Sequence, residues 1–297
     1  MRVGAIQTTA GPVPEANLDR AAVLVSQASR HGAALVVLPE YFSVAGSPTF
    51  LRNHAEPLDG PTARWASEQA AKHRIHLVAG SFPERPVEGT RTGNRLFNTS
   101  CLFGPDGALE AVYRKLHLFD VTLAGARVCE SATMAPGDSL AVVPLGADAD
   151  PGGRHSPVLG LSICYDLRFP EPYRIMALQG ATVMAVPAAF TAATGPAHWE
   201  LLLRARAVEN EVFVVGAGQV GVLPPGMPAC HGHTMIVDPW GVVVAECTDN
   251  VPGVALADLD MARLDQVRSE LPVLAHRRPA AYRWPDDNSR GAVGTGG

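Results

Sequence analysis

The sequence predicts an α/β fold, a single domain in which helices cover β-sheets. Three observations carry this expectation. Apolar strand-like runs alternate with amphipathic helix-like runs through the first half, the same alternation returns after about residue 157, and hairpin signals interrupt both halves. Hairpins among the alternating runs argue against a purely parallel, doubly wound sheet. No Ser/Gly-rich linker divides the 297 residues, so residues 1–284 read as one domain.

The elements follow in order. Val3–Gln7 reads as a strand. Residues 17–30 carry Leu18, Ala21, Ala22, Val25 and Ala28 at helical spacing, with Gly32 as the stop signal. Ala34–Leu38 is a buried-strand run that ends at Pro39 and Glu40. Pro61–His73 is a second helix and His76–Phe82 a further strand. Asn98–Phe103 and Ala108–Lys115 flank Gly104-Pro105-Asp106-Gly107, a hairpin turn. The second half repeats the style with a strand at Val158–Ile163, a helix at Glu171–Gln179 and a strand at Thr182–Pro187. A helix at Pro196–Asn210 and a strand at Val212–Gly216 follow. A last hairpin pairs His233–Val237 with Val242–Glu246 around Asp238-Pro239-Trp240-Gly241. Gly146–Ser156 reads as a surface loop. The polar, Gly-rich residues 285–297 read as a disordered tail.

Composition narrows the function. Hydrophobic residues make up 47% of the chain and charged ones 18%, ample for a packed core. A net charge of -5 with no run of Lys and Arg offers nucleic acid no footprint. The apolar stretches are too short to span a bilayer, and the start, MRVGAIQTT, enters a strand directly. Five scattered cysteines, none in a C-x-x-C pair, argue against a disulfide framework and a thiolate metal site. A reducing cytoplasm is the expected setting, with no membrane partner, no metal and no cofactor.

Three polar residues stand where apolar strands end. Cys164 closes Gly160-Leu161-Ser162-Ile163, and a helix opens soon after at Pro170-Glu171-Pro172. A side chain at such a strand-to-helix turn projects from the sheet edge, where backbone N–H groups can hold an oxyanion. A thiol there needs a cation or base to become a nucleophile. Glu40 follows a wholly apolar strand, a place where an acid costs stability unless it is used or paired. Lys115 ends Ala111-Val112-Tyr113-Arg114. An inert buried cysteine, a salt-bridged acid and a solvated lysine would each fit one position. Three such ends converging on one site would carry chemistry.

Leu38-Pro39-Glu40, Tyr113-Arg114-Lys115-Leu116-His117-Leu118-Phe119-Asp120 and Ile163-Cys164-Tyr165-Asp166-Leu167-Arg168-Phe169-Pro170-Glu171 resemble the three catalytic signatures of the nitrilase superfamily, the carbon–nitrogen hydrolases. Thr194 to Ala207, and Gly232-His233-Thr234 with Asp238-Pro239-Trp240-Gly241, are similar to its Nit branch. The resemblance is collinear from Val3 to about Leu264. It implies a four-layer αββα sandwich, packed as a homodimer, with a Glu-Lys-Cys triad. On that reading Cys164 attacks the carbonyl, while Lys115 and the Tyr165 N–H hold the oxyanion. Glu40 passes a proton to the leaving ammonia and then activates the water that opens the thioester. Lys115 beside the thiol is expected to lower its pKa. A second acid of the family falls on Glu130, which would orient the lysine or the substrate amide.

Tyr165-Asp166 after the nucleophile resembles the amidase-type members, where classical nitrilases carry Trp-Glu. Phe119-Asp120, Cys129-Glu130-Ser131 and Met134 resemble the deaminated glutathione amidases. The neighbouring branch holds ω-amidases acting on 2-oxoglutaramate, and N-carbamoyl amino acids are a further substrate class. The substrate implied is a small amide bearing a carboxylate, with water as co-substrate. Arg168 is the candidate carboxylate binder, though a structural pair with Asp166 or Glu171 is the first expectation for it. Tyr41, Phe190 and Thr191 follow strand ends and are expected to line the pocket.

Other signals point elsewhere. Gly216-Ala217-Gly218-Gln219-Val220-Gly221 satisfies the dinucleotide fingerprint, but Leu223-Pro224-Pro225-Gly226 forbids the helix that it must open. His231 and His233 share a strand face without a third metal ligand. His117 or His198 could pair with Cys164 as in papain-like proteases; that reading predicts loss of activity on a histidine substitution and none on Lys115→Ala. A catalytically silent scaffold homologue would be expected to have lost Glu40, Lys115 or Cys164, and all three stand.

Overall fold

Two β-sheets lie face to face, each covered on its outer side by a pair of helices, in a computed structural model that describes residues 1–123, 126–146, 156–248 and 250–282. Most of the loop expected over Gly146–Ser156, and all of the tail from Pro285, lie outside the described residues. The first half builds β1 (Arg2–Gln7), α1 (Pro14–Arg30), β2 (Leu35–Val37), α2 (Pro48–Asn53), α3 (Pro61–His73), β3 (His76–Val78), β4 (Phe82–Glu84), β5 (Phe97–Phe103) and β6 (Leu109–Arg114). A small hairpin, β7 (Asp120–Leu123) and β8 (Ala126–Cys129), follows. The second half builds β9 (Ala141–Pro144), β10 (Val158–Leu161), α4 (Pro170–Leu178), β11 (Val183–Ala188), α5 (Gly195–Asn210) and β12 (Phe213–Gly218). It closes with β13 (Val220–Gly221), β14 (Cys230–His231), β15 (Met235–Val237), β16 (Val243–Glu246), β17 (Gly253–Asp258) and α6 (Met261–Glu270).

The first sheet runs β17-β1-β2-β3-β5-β4 with β6 on β5, and the second runs β16-β15-β12-β11-β10-β9. In each, a parallel trio forms the middle and antiparallel strands form the edges. Strand periodicity sorts the side chains. Leu35 and Val37 face the second sheet, in one cluster with Leu159, Leu161 and Val215. Val36 and Leu38 face the other way, onto Ala21, Val25 and Ala28 of α1 and Ala63, Ala66 and Ala70 of α3. Small helix residues let the helices settle close to the sheet. On the other side α4 and α5 cover β10 and β12, which makes four layers in the order αββα.

Four expectations shift. The first helix begins three residues early, because Pro14 takes the first-turn position that proline favours. The run His76–Phe82 is broken in two. Gly80 turns there with φ +40°, and a Cβ at that position would collide with the Pro39 carbonyl. Between the lysine motif and Glu130, where the sequence reading places no element, Asp120–Leu123 pairs with Ala126–Cys129. Finally β17, which sequence pattern alone passes over, returns to pair with β1 across the whole chain.

Topology brings the three strand ends together. Glu40 follows parallel strand β2, and Cys164 follows parallel strand β10. Strand β6 reverses twice relative to β3, through β5, so Lys115 leaves the first sheet at the same edge as Glu40. No helix among the described residues is long and apolar enough to cross a membrane.

Candidate active site

At this shared edge the side chains of Glu40, Lys115, Glu130 and Cys164 line one cleft of about 330 Å³. The Lys115 side chain is 2 % exposed, and its Nζ donates to Glu40 Oε1 at 2.9 Å and to Glu130 Oε2 at 2.9 Å. Burial alone would pull its pKa down, but Glu130 and Glu40 overcome that and hold the ammonium well above the usual lysine value. Each carboxylate has further donors, as buried charge requires. Glu40 Oε1 accepts from Asn98 Nδ2 at 2.9 Å, and Oε2 accepts from the Ala189 N–H at 2.8 Å. Glu130 accepts from the Phe119 N–H at 2.7 Å, from Asn98 Nδ2 at 3.2 Å and from the Tyr41 hydroxyl at 3.3 Å.

Cys164 opens a short 3₁₀ turn, Cys164–Arg168, and holds φ +48°, a conformation that a non-glycine residue adopts only when its surroundings enforce it. The enforcement comes from Asp166, which is fully buried. Its Oδ2 accepts from the Ile163 N–H at 2.9 Å and the Tyr113 hydroxyl at 2.7 Å. Its Oδ1 faces the His117 N–H at 3.0 Å and His117 Nδ1 at 2.8 Å. The nucleophile turn is thereby tied to the strand end that carries Lys115. The Tyr165 N–H sits in the first turn of the 3₁₀ segment, where an amide has no partner inside the turn.

The thiol departs from expectation. Burial pushes the Cys164 pKa well above the usual thiol value, and the Glu40 charge and its hydrogen bond push the same way. Lys115 and the Ala189 N–H lower it without winning. The reason is burial first: a charged thiolate is poorly solvated there, and the nearby Glu40 carboxylate adds to the cost. The resting thiol is neutral and already hydrogen-bonded to the carboxylate that can take its proton.

Tyr41, Tyr165, Arg168, Phe190 and Thr191 all line the cleft. Tyr41 also reaches beneath it to Glu130, and Tyr165 packs edge-on against Phe119 with centroids 5.0 Å apart. Asp166, one of the two acids expected to pair with Arg168, is already taken by its four donors. The guanidinium lies 5.1 Å over the Phe190 ring, with Nη1 3.2 Å from His198 Nδ1. Arg127, which sequence reasoning passed over, also lines the cleft. Asn98 was missed too, although an asparagine in a fully buried strand is a signal in itself. The Ala189 and Phe119 amides are backbone groups that no side-chain pattern announces.

Among the described residues no histidine lines the cleft, so a papain-like Cys–His pair lacks its geometry. His117 is engaged by Asp166, and His231 stacks on His233, which contacts Glu246 at 2.8 Å. No group of three or more metal-ligating side chains occurs among the described residues.

Comparison with known proteins bears on the family and the fold. The family model of the carbon–nitrogen hydrolases matches residues 2–269. Deaminated glutathione amidase of Homo sapiens is 41% identical over 282 residues, which is 94% of this chain and 83% of that protein. Omega-amidase NIT2 of Danio rerio is 38% identical over 284 residues, 95% of this chain and 96% of its own. Among solved structures, Saccharomyces cerevisiae Nit3, a member of branch 10 of the nitrilase superfamily, matches with a TM-score of 0.80 at 32% identity. The match covers 94% of this chain and 96% of that one.

Proposed function

The chain belongs to the carbon–nitrogen hydrolase family, and from that premise we propose that it hydrolyses the amide of a small carboxylate-bearing molecule, deaminated glutathione first, through a thioester on Cys164. The observation that carries the proposal is the buried cluster in which one ammonium lies between two carboxylates, beside a thiol that donates to one of them.

The chemistry follows from the geometry. As the Cys164 sulfur attacks the amide carbon, its proton passes to Glu40, which is already its hydrogen-bond partner. Lys115 and the Tyr165 N–H stabilise the oxyanion. Glu40 then gives that proton to the leaving nitrogen, the C–N bond breaks and a thioester remains. Water enters, Glu40 takes a proton from it, and hydroxide attack on the thioester releases the acid and restores the thiol. Glu130 keeps Lys115 charged and aimed throughout.

Arg168 supplies a fork for one substrate carboxylate, and Arg127 a second. Two guanidinium groups suit deaminated glutathione, which carries two carboxylates and whose leaving group is an amine. The second reading, favoured by the ω-amidase relative, is 2-oxoglutaramate, which has one carboxylate and releases ammonia. N-Carbamoyl amino acid hydrolysis is a third member of the same class. The proposal includes a homodimer in a cytoplasmic setting with no bound nucleic acid.

The test is release of ammonia and of free amine from deaminated glutathione, 2-oxoglutaramate, an N-carbamoyl amino acid and a simple nitrile, with Cys164→Ala as control. Cysteine-dependent turnover of one amide identifies the substrate class. Turnover that survives Cys164→Ala sinks the mechanism.

A further inference from the structure

The Gly216-Ala217-Gly218-Gln219 run, which mimics a nucleotide-binding fingerprint, leads straight into the site. A Cβ on Gly216 would stand 2.8 Å from Leu203 Cδ1 and 2.9 Å from Trp199 Cζ2, so glycine there lets α5 pack down on β12. The strand thus reaches the sheet edge with Gln219 pointing into the seam between the two sheets, where it is fully buried. Every polar atom of Gln219 is engaged. Oε1 accepts from the Ala10 N–H at 2.9 Å, and Nε2 donates to the Glu40 carbonyl oxygen at 3.0 Å. Its own N–H donates to the Ala188 carbonyl at 2.8 Å, and its carbonyl accepts from the Gly232 N–H at 3.1 Å.

These bonds grip Glu40 from the opposite sheet at both ends. Gln219 holds its main-chain carbonyl, and Ala189, next to the Ala188 that Gln219 pairs with, holds its carboxylate at 2.8 Å. The chain needs holding here, because Tyr41, the next residue, sits at φ +56°. Glu40 belongs to the first sheet and Cys164 to the second, so the distance between base and thiol depends on how the sheets are keyed together.

We infer that Gln219 is a positioning residue for Glu40, the key that sets base against nucleophile across the sheet seam. The inference rests on the proposed role of Glu40 as base. A displacement of about 1 Å at a reacting group can cost about 100-fold in rate.

Gln7 provides a matched comparison. It too is fully buried and bridges backbone groups, with Nε2 donating to the Val251 carbonyl at 2.9 Å and Oε1 accepting from the Thr234 N–H at 3.0 Å. Neither glutamine lines the cleft, and these Gln7 side-chain bonds join Val251 and Thr234 where those of Gln219 join Ala10 and Glu40. The experiment compares Gln219→Met, Gln7→Met and Gln219→Glu in the full chain, on whichever amide the wild type turns over. Both methionine variants should unfold at lower temperature. Only Gln219→Met should lose kcat, by about 10- to 100-fold, with KM within about 2-fold. Gln219→Glu keeps the volume and the acceptor toward Ala10, but donates to the Glu40 carbonyl only when protonated. Its activity relative to wild type should therefore rise as pH falls.

Equal kcat losses in the two methionine variants, or an unchanged kcat in Gln219→Met, overturn the inference. If Gln219→Met fails to fold, a pH-independent ratio for Gln219→Glu overturns it instead. Wild-type turnover that survives Glu40→Gln overturns the reading of Glu40, and the key with it. Turnover that needs Glu40 but not Gln219 overturns the key alone.

Discussion

Lys115 Nζ lies 2.9 Å from Glu40 Oε1, with the two side chains only 2% and 3% exposed. A buried ion pair is costly to break from one side and cheap from the other when a spare partner remains. Glu40→Gln leaves Lys115 with Glu130 at 2.9 Å, so the fold should lose only about 1–2 kcal/mol. Lys115→Met strands two buried carboxylates and should cost about 3–5 kcal/mol. Both variants should lose amide turnover. Thermal unfolding at pH 7 checks the order, and a Glu40→Gln variant less stable than Lys115→Met would contradict it.

Asn98 spreads its single amide group over both acids, at 2.9 Å to Glu40 and 3.2 Å to Glu130. Asn98→Leu removes a donor from each carboxylate and should cost about 1–3 kcal/mol, with kcat/KM down about 10-fold or more. Asn98→Asp places a third carboxylate around one ammonium and should be worse on both measures. An aspartate that is tolerated better than leucine would show that the two acids do not share this donor.

The Cys164 thiol is held neutral by burial and by Glu40, against Lys115 and the Ala189 N–H. The rate of alkylation by a small haloacetamide should therefore rise with pH to a midpoint above that of a free thiol. Glu40→Gln removes an anion and an acceptor that favour the protonated form, so it should move the midpoint down. Lys115→Met removes a cation that favours the thiolate and should move it up. Opposite displacements, or none, would refute the electrostatic account of the resting nucleophile.

The positions of Glu40, Lys115 and Cys164 were legible because each is a polar or reactive side chain that ends an apolar strand, where burial has no other excuse. Asn98 was harder to see because it stands inside its strand, and the Ala189 and Phe119 amides could not be read because backbone donors leave no mark in composition. The neutral thiol was misjudged because the sign of its shift is set by how deeply the turn is buried and by the Glu40 carboxylate brought over from the other sheet, neither of which local sequence gives. Strand β17 pairs with β1 at the far end of the chain, a register set by a long-range contact that no window of residues contains. Gln219 was visible only as part of a motif with another meaning.

Arg168 presents its guanidinium over the Phe190 ring at 5.1 Å, inside the cleft. If it receives the substrate carboxylate, Arg168→Ala should raise KM for a carboxylate-bearing amide about 10- to 100-fold, with kcat little changed. Arg168→Lys should fail to restore it, since the ammonium has neither the planar fork nor the stacking face. A neutral analogue with that carboxylate amidated should be indifferent to both changes. Equal losses on the charged and neutral substrates would assign Arg168 to holding the pocket wall.

Asp166 braces the turn that puts Cys164 at φ +48°, through four donors shared between two oxygens. Asp166→Asn turns one of those oxygens into a donor that faces a backbone N–H, of His117 or of Ile163, whichever way the amide is set. One buried backbone N–H then faces another donor, which should cost about 2–3 kcal/mol. Tyr113→Phe removes a single donor, at 2.7 Å, and should cost about 1 kcal/mol. The turn also loses its anchor in Asp166→Asn, so the burst of acyl-enzyme should shrink by more than stability alone explains, while Tyr113→Phe keeps most of it. Denaturant unfolding and burst amplitudes measured on the same preparations check both statements. Equal stability losses would mean that the carboxylate acts through the tyrosine alone, and an unchanged burst in Asp166→Asn would mean that the nucleophile turn is held by something else.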